Sequence, residues 1–419
     1  MLYERWRQIA EEFRNEIALS DAASGQRWTF EELAARTEQG IVSIEPLVFP
    51  KGNSPEFIFN VLRAWRSGKT ICPLDTGQAA PVFSELLPSG CVHLKLTSGS
   101  TGTSRAVAFK PEQLVADAAN IVQTMRLRRD SPNIGVISLA HSYGFSNLVL
   151  PLLLHGIPLI LVPAPLPEIV RRAIGDLGNV TLAAVPALWR VWHDADAVAS
   201  KVLLAISAGA PLPLVLESAV FERFGLKIHN FYGSSECGGI AYDRSELPRT
   251  DNALVGEPME DVNLSVGEDG CLEVRSRAVG ETYWPEGNEK LKNGVFRTSD
   301  LAEISNGNIY LRGRITDQIN VAGRKISPET IERALLKHPD VEECLVFGVP
   351  SAEAERSETI VGCVAARTEI RADALKQFLL TELPAWQIPR GWWFVDALQT
   401  NARGKLSRAE WRKRYLARS

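Results

Sequence analysis

LTSGSTGTSRAVAFK, residues 96–110, decides how the rest of the chain is read. The VHLKL that leads into it reads as a strand feeding a loop. Gly99, Ser100, Thr101, Gly102 and Thr103 fill that loop with hydroxyls and with glycines that let backbone approach a ligand closely. These are the ingredients for surrounding a polyphosphate with N–H and O–H donors. The G-x-x-x-x-G-K-[ST] register of a Walker loop is absent, which disfavours a P-loop NTPase. Alone, a Ser/Thr/Gly loop is most often a surface turn, so its meaning rests on what accompanies it.

Outward from the loop, Leu114–Met125 is read as a helix, and 134–139, 159–162 and 203–207 as short buried strands. Apolar strands alternating with helices imply parallel sheets, hence an α/β class for a large N-terminal domain. From about Gly256 short alternating segments such as CLEVRS and NIYLRGR, separated by Gly, Asn and Asp, predict a smaller β-rich region with antiparallel strands. After Arg314 the texture changes again. PETIERALLKHP reads as a helix opening on Pro328 and VEECLVFGVP as a buried strand, giving a small α+β C-terminal domain. The expected division is 1–314 and 315–419, with a short hinge near Arg314 to Asp317.

A chain of 419 residues exceeds the size at which single cores stop growing, in keeping with more than one domain. Its 46 basic and 50 acidic side chains leave a formal charge of -4, with no global attraction to nucleic acid, and a small-molecule substrate fits better. Six scattered cysteines without a C-x-x-C pair suggest neither zinc nor a disulfide framework, but buried or reduced thiols. The charged N-terminus lacks the apolar core of a secretory signal and points to the cytoplasm. NLVLPLLLHGIPLILVPAP, 147–165, is interrupted by Pro151, His155, Gly156 and Pro158. It reads as a buried helix followed by a buried strand, not as a membrane span.

TSGSTGTSRAV resembles the phosphate-binding signature of the adenylate-forming superfamily of acyl-CoA synthetases, peptide-synthetase adenylation domains and luciferases. Further segments follow in the family's order. NFYGSSECGG (230–239) resembles its aromatic-Gly-x-Thr-Glu motif, and FRTSDL (296–301) its Tyr-Arg-Thr-Gly-Asp-Leu motif. GRITDQINVAGRKISPETIE is similar to the family's hinge and following loop, NARGKLSR to its terminal lysine motif, and NSPEFIFNVLRAWRSGKTICPLD to its early segment. The resemblance therefore runs along nearly the whole chain.

The resemblance implies ATP-dependent activation of a carboxylic acid to an acyl adenylate, followed by transfer to a thiol of CoA or of a phosphopantetheine carrier protein. Bringing the acid to the α-phosphate while pyrophosphate leaves demands charge neutralisation, a task for lysine and Mg2+. By motif position Glu236 holds Mg2+, a hard cation that prefers oxygen; a glutamate in a Gly/Ser loop is otherwise simply solvated. Thr97, Ser98, Gly99, Ser100, Thr101 and Gly102 correspond to the phosphate loop. Tyr232 corresponds to the aromatic that stacks on adenine, Gly233 and Ser235 to its neighbours toward phosphate, and Gly209 and Ala210 of SAGAP to the turn that lines the base. Asp300 matches the carboxylate that accepts from the ribose hydroxyls, and Arg314 a further nucleotide contact. Lys405 matches the lysine that bridges carboxylate and developing phosphorane, though RGKLSRAEWRKRYLARS is also readable as a solvated basic tail, the reading given to Arg408 and the charges beyond it. Gly323 lies in the loop that faces the site during thiolation, after the rotation of the terminal domain known in the family.

His141 matches the aromatic or histidine at the mouth of the acid pocket, with Tyr143, Phe145, Ala184, Val185 and Cys237 as apolar candidates that are also ordinary core types. Relatives that activate amino acids place an aspartate here for the α-amine. HSYGFSNL offers none, so an aryl or aliphatic acid is expected instead. The chain departs from the pattern where Ser104, Arg105 and Ala106 replace Pro-Lys-Gly. Arg105 is taken as the catalytic cation of the loop, with its charge kept but its geometry changed. At the hinge Thr316 replaces Asp or Lys, and Asp317 follows it. The segment between Pro73 and Leu96 is short, as if the N-terminal domain were trimmed. Two other readings stand beside the ligase: an adenylate-forming enzyme with a non-thioester second step, and a non-catalytic scaffold of the same fold.

Overall fold

The computed structural model describes residues 1–41, 43–83, 85–97, 105–175, 177–198, 201–351, 358–399 and 406–418. They form two compact units. One comprises Met1–Ser265, Glu273–Thr298 and Asn306–Ile309; the other comprises Val266–Leu272, Ser299–Ser305 and Tyr310–Ser419. The architecture is mixed α/β, with a large sheet-rich N-terminal unit and a small C-terminal one.

In the first unit one sheet uses β1 (Ile17–Asp21) and β2 (Arg27–Thr29), and a second uses β3 (Leu47–Val48), β4 (Thr70–Ile71), β5 (His93–Thr97) and β6 (Arg105–Phe109). The first sheet continues through β7 (Asn133–Gly135), β8 (Leu159–Leu161), β9 (Val180–Ala184), β10 (Val202–Ser207), β11 (Ile228–Ser234), β12 (Gly238–Tyr242) and β13 (Leu254–Pro258). Its order is β13-β12-β11-β10-β9-β7-β8-β1-β2. The central pairs from β11 to β8 and on to β1 are parallel, and β8 and β9 are short, mostly apolar, mostly buried runs of the kind expected inside such a sheet. The strands expected at 159–162 and 203–207 are present as β8 and β10. The strand expected over 134–139 stops at Gly135, because the Leu139 N–H is taken by the Asn53 side chain at 2.8 Å rather than by a neighbouring strand.

After β14 (Val262–Val266) and β15 (Cys271–Ser276), β16 (Thr282–Trp284) pairs antiparallel with β6, giving the second sheet the order β16-β6-β5-β4-β3. Cys72, Leu74, Leu94, Ala106, Ala108 and Trp284 fill its core. The helix Pro111–Thr124 buries Leu114, Ala118 and Ile121 at helical spacing, and Pro111 opens it where no N–H partner is needed. The apolar stretch read as helix then strand is helical through His155, ends on left-handed Gly156, and continues as β8. Among the described residues no helix is long and apolar enough to cross a membrane.

β17 (Leu291–Lys292), β18 (Val295–Ser305) and β19 (Asn308–Arg314) complete the β-rich region. In the second unit β20 (Ile319–Val321) and β21 (Arg324–Ile326) form a hairpin. The long strands β22 (Val341–Pro350) and β23 (Glu358–Ala366) pair antiparallel, with β24 (Gly391–Val395) parallel to β23. Helix Pro328–Leu335 buries Ile331, Ala334 and Leu335 with Ile319, Val346 and Val364. On the other face Trp411 of helix Arg408–Leu416 packs among Leu345, Phe347 and Cys363. All six cysteines are free thiols, and burial pushes Cys72 and Cys363 up to about 12.

Candidate active site

β5 and β6 are paired up to Thr97 opposite Arg105, so the two ends of the glycine-rich loop are fixed side by side; Thr97 Oγ1 donates to the Arg105 carbonyl at 3.1 Å. Ser98, Gly99, Ser100, Thr101 and Gly102 lie outside the described residues, as does Lys405. On the loop's outgoing strand, Arg105 shares a face with Val107, and Tyr283 of β16 is registered opposite Val107. Tyr283 and Arg105 are therefore diagonal neighbours on one sheet face. The Arg105 guanidinium lies 3.8 Å from the centre of the Tyr283 ring and donates to the Glu286 carbonyl at 3.3 Å, while its buried Nε has no hydrogen-bond partner among the described residues.

The Tyr283 hydroxyl donates to Glu236 Oε1 at 3.1 Å. Burial first, and the neighbouring Glu236 carboxylate second, raise the Tyr283 phenol above its ordinary range. Glu236 sits in the connection between β11 and β12. Its N–H donates to Ser234 Oγ at 3.2 Å and its carbonyl accepts from Gly280 N–H at 2.8 Å. Cys237 is fully buried with its sulfur 3.2 Å from Ser234 Oγ, and burial raises its pKa. Tyr232 and Ser235 are half-buried and Gly233 is exposed.

Behind this turn is a charge pair that the sequence reading did not single out. Asp117 accepts from Gly239 N–H at 3.4 Å and from Ser146 Oγ at 2.6 Å, and Lys95 Nζ lies 3.6 Å from its Oδ2 and 4.6 Å from the centre of the Phe109 ring. Both charged side chains are at most 4% exposed. Gly238 has φ +69°, and a Cβ there would lie 2.0 Å from Asp117 Oδ1, so the turn comes as close to the carboxylate as only glycine permits. A signal for this was present. Asp117 occupies the apolar stripe of its helix between Leu114 and Ile121, and Lys95 interrupts an apolar strand.

At the ends of β9 and β10, the Tyr143 ring lies 5.8 Å from that of Phe231, tilted by 42°, and directs its hydroxyl at the carbonyls of Ala184 and Ile206, 3.4 and 3.5 Å away. Burial raises its phenol pKa well above the ordinary value. The SAGAP turn follows β10 directly, with Gly209 exposed at φ +85° and Ala210 half-buried. Phe145 is fully buried between Phe57 and His93, at ring distances of 6.5 and 4.3 Å, and so belongs to the core. His141 pairs with Asp75, Nε2 to Oδ2 at 2.9 Å, and Ser138 Oγ donates to the other oxygen at 2.5 Å. Asp75 comes from a segment distant in sequence, so the acid that HSYGFSNL itself lacks is supplied from elsewhere in the chain. It also lines a cleft of about 580 Å3 with Lys51, Asn53 and Thr76.

In the second unit Arg314 and Asp300 meet across the β18–β19 hairpin, Nε to Oδ1 at 2.8 Å, so two residues assigned to one nucleotide are brought together. Thr316 Oγ1 lies 3.3 Å from Asp317 Oδ1, and Gly323 is exposed in the β20–β21 turn. Arg408, read from sequence as part of a solvated tail, is instead mostly buried. It pairs with Asp317 at 3.0 Å, Glu329 at 2.8 Å and Glu332 at 2.7 Å and donates to the Val346 carbonyl. Burial disfavours its charge, but Glu332 and Glu329 outweigh that and hold the guanidinium above its ordinary pKa.

Among the described residues no cluster of three His, Cys, Asp or Glu side chains forms a metal cage. A single carboxylate such as Glu236 suits magnesium that arrives on nucleotide phosphates and keeps waters, rather than a resident ion.

The AMP-binding enzyme family model matches residues 81–284, and the model of that family's C-terminal domain matches 330–405. A feruloyl-CoA synthase from Amycolatopsis sp. is 30% identical over 345 residues, spanning 77% of this chain and 69% of that protein. The chain belongs to the AMP-binding enzyme family. The AMP-binding match includes the loop at 96–110, the SAGAP turn, Glu236 and Tyr283, and the C-terminal match includes Lys405. The 2,3-dihydroxybenzoate-AMP ligase of Bacillus subtilis is 27% identical over 419 residues, covering 93% of this chain and 73% of the relative. ATP-bound MatB from Rhodopseudomonas palustris has the same fold, with TM-score 0.86 and 99% of both chains covered at 19% identity. So does the o-succinylbenzoate CoA synthetase of Bacillus subtilis, with TM-score 0.80 and 97% of both chains covered at 20% identity. As a member of the adenylate-forming superfamily, this AMP-binding enzyme activates an acid with ATP.

Proposed function

We propose that the chain is an AMP-forming acid–thiol ligase whose acid is aryl or aliphatic and not an amino acid. The observation that carries the choice of acid is the aromatic pair of Phe231, on β11, and Tyr143, whose hydroxyl reaches the carbonyls of Ala184 and Ile206 on β9 and β10. Asp75, the carboxylate nearest His141, is already engaged by His141 and Ser138, and so does not stand ready for an α-amine. The relatives named for feruloyl-CoA and 2,3-dihydroxybenzoate support an aryl acid.

In this reading a carboxylate oxygen attacks the α-phosphorus, the bond to the bridging oxygen breaks, and pyrophosphate leaves. A thiol sulfur then attacks the acyl carbon, loses its proton, and releases AMP. Residues 1–314 bind ATP and acid and 315–419 carry Lys405, with the turn at Thr316 and Asp317 as hinge and Gly323 on the thiol side. Tyr232, Gly209 and Ala210 receive adenine, Asp300 and Arg314 the ribose, and Thr97 to Gly102 with Gly233, Ser235 and Arg105 the phosphates. Glu236 holds the Mg2+ that neutralises them. His141, Tyr143 and Cys237 border the acid, with Phe145 supporting them from the core. The thiol is that of CoA or a carrier protein, and the enzyme works in the cytoplasm without a nucleic-acid partner.

ATP–pyrophosphate exchange across aryl, short and long aliphatic acids and amino acids tests the first step. Exchange driven best by an amino acid removes the acid assignment, and no exchange with any acid removes the enzyme. Product analysis with and without CoA or carrier protein tests the second, and an amide in place of a thioester rejects the thiol. Lys405→Ala should lower adenylation about a hundredfold or more, as removal of one preorganised charge does, while thioester formation from supplied acyl-AMP largely survives. Equal losses in both half-reactions would remove Lys405 from its assigned role.

A further inference from the structure

We propose that Tyr283 is a positioning residue that joins the two charges of the nucleotide site, presenting Glu236 to magnesium through its hydroxyl and Arg105 to phosphate through its ring. The inference rests on the ATP-binding role given above to Glu236 and Arg105.

The two interactions use different parts of one side chain. The hydroxyl donates to Glu236 Oε1 at 3.1 Å, which restrains the carboxylate's rotation and leaves the capacity of its second oxygen to another partner. The ring face carries the Arg105 guanidinium 3.8 Å from its centre. Arginine at this position makes the arrangement possible, because a planar guanidinium stacks on an aromatic face where an ammonium is only a point charge. Stacking also directs the donors. The Glu286 carbonyl takes one Nη2 hydrogen at 3.3 Å, while Nε is buried and has no hydrogen-bond partner among the described residues, an arrangement suited to a charged oxygen that arrives with a ligand.

Tyr283 is itself held from two sides. It is registered opposite Val107 in the β16–β6 ladder, and its strand begins just after Gly280, whose N–H donates to the Glu236 carbonyl at 2.8 Å. Backbone and side chain of Glu236 are thus both anchored to the segment that carries Tyr283. Hydrogen-bonding partners of this kind orient a metal-binding carboxylate and change its affinity without touching the metal.

The test separates the hydroxyl from the ring. Binding of ATP to the full chain is measured calorimetrically without acid or thiol, first in EDTA and then in a magnesium titration, for wild type, Tyr283→Phe, Tyr283→Leu, Arg105→Ala and Glu236→Gln. Tyr283→Phe should bind metal-free ATP within twofold of wild type yet require about tenfold more magnesium to reach full affinity. Tyr283→Leu should in addition weaken metal-free binding about fivefold, approaching Arg105→Ala, because the platform is lost. Tyr283→Phe in the Glu236→Gln background should have no further effect on magnesium dependence, an outcome that a merely structural tyrosine does not produce.

A magnesium requirement in Tyr283→Phe equal to wild type, or lower than wild type, overturns the positioning role. So does metal-free binding by Tyr283→Leu at the wild-type level. If the wild-type chain binds no ATP at all, the proposed activity falls together with this inference. If it binds ATP and only the Tyr283 variants behave as wild type, the inference falls alone.

Discussion

The Lys95–Asp117 pair shows how much one buried residue can hold. Two opposite charges at most 4% exposed and 3.6 Å apart connect β5, the helix Pro111–Thr124 and the Gly238–Gly239 backbone. Removing one partner strands the other in a low-dielectric interior. Lys95→Met or Asp117→Leu alone should therefore cost about 3–5 kcal/mol of stability, and the double variant Lys95→Met/Asp117→Leu less than the sum of the two. Denaturant unfolding of the three variants checks this, and additive losses would show that the charges do not sense each other. Arg408 is the counterpart in the second unit. Arg408→Lys keeps the charge but loses the planar fork that reaches Asp317, Glu329 and Glu332 at once, so it should destabilise, and Arg408→Ala should do so more, because Glu332 is already raised by burial against the pull of Arg408. Equal melting temperatures for wild type and Arg408→Lys would contradict this.

At the scale of elements, the β11–β12 turn is built around one close approach. Gly238→Ala forces a Cβ onto a left-handed backbone at φ +69° and places it 2.0 Å from Asp117 Oδ1. The strain alone should cost about 1–3 kcal/mol. Because the turn carries Glu236, adenylation should fall by more than the stability loss explains, as read by pyrophosphate exchange at a temperature where the variant remains folded. β11 has a second support below it. Glu217, Lys227, Asp243 and Arg249 form a buried network of two acids and two bases, and Arg249 donates to the Leu212 carbonyl at 2.7 Å, just beyond the SAGAP turn. The helices obey simpler rules. Thr29 and Glu32 cap each other's backbone at the start of helix Phe30–Gln39, and Pro55 and Pro111 open the helices they begin.

For the whole molecule, protonation sets an acid limit on stability. His155 is lowered to about 4 by burial and then by Arg5, His93 lies well below its usual value through burial and Lys95, and His229 is lowered mainly by burial. An unfolded histidine titrates near pH 6.5. Between about pH 6.5 and 4 the unfolded chain binds protons that the folded one refuses, so stability falls as pH falls through that window. Asp243 adds to the loss at lower pH. Burial opposes its charge, but Lys227 and Ser245 prevail and depress its pKa, so its contribution is present above the ordinary carboxylate range and disappears as it protonates. His155→Gln should flatten the dependence of unfolding free energy on pH between 6.5 and 4, and an unchanged slope would remove His155 as a cause.

Patterns fixed by nearest neighbours along the chain were legible beforehand. The apolar runs at 159–162 and 203–207 read as strands and are strands, although Leu203 is half exposed; the breakers in 147–165 argued against a span, and ordered motifs pointed to nucleotide chemistry before any coordinate. The roles of Tyr283, Asp75 and Arg408 were not legible, because each depends on a partner at 47, 66 or 91 positions' remove. Sequence carries local spacing, so it gave the α/β class and the motif residues. Whether a charge is solvated or paired, and which aromatic ring lies beneath Arg105, depend on which strands become neighbours and how much water remains between them, and only the tertiary structure decides that.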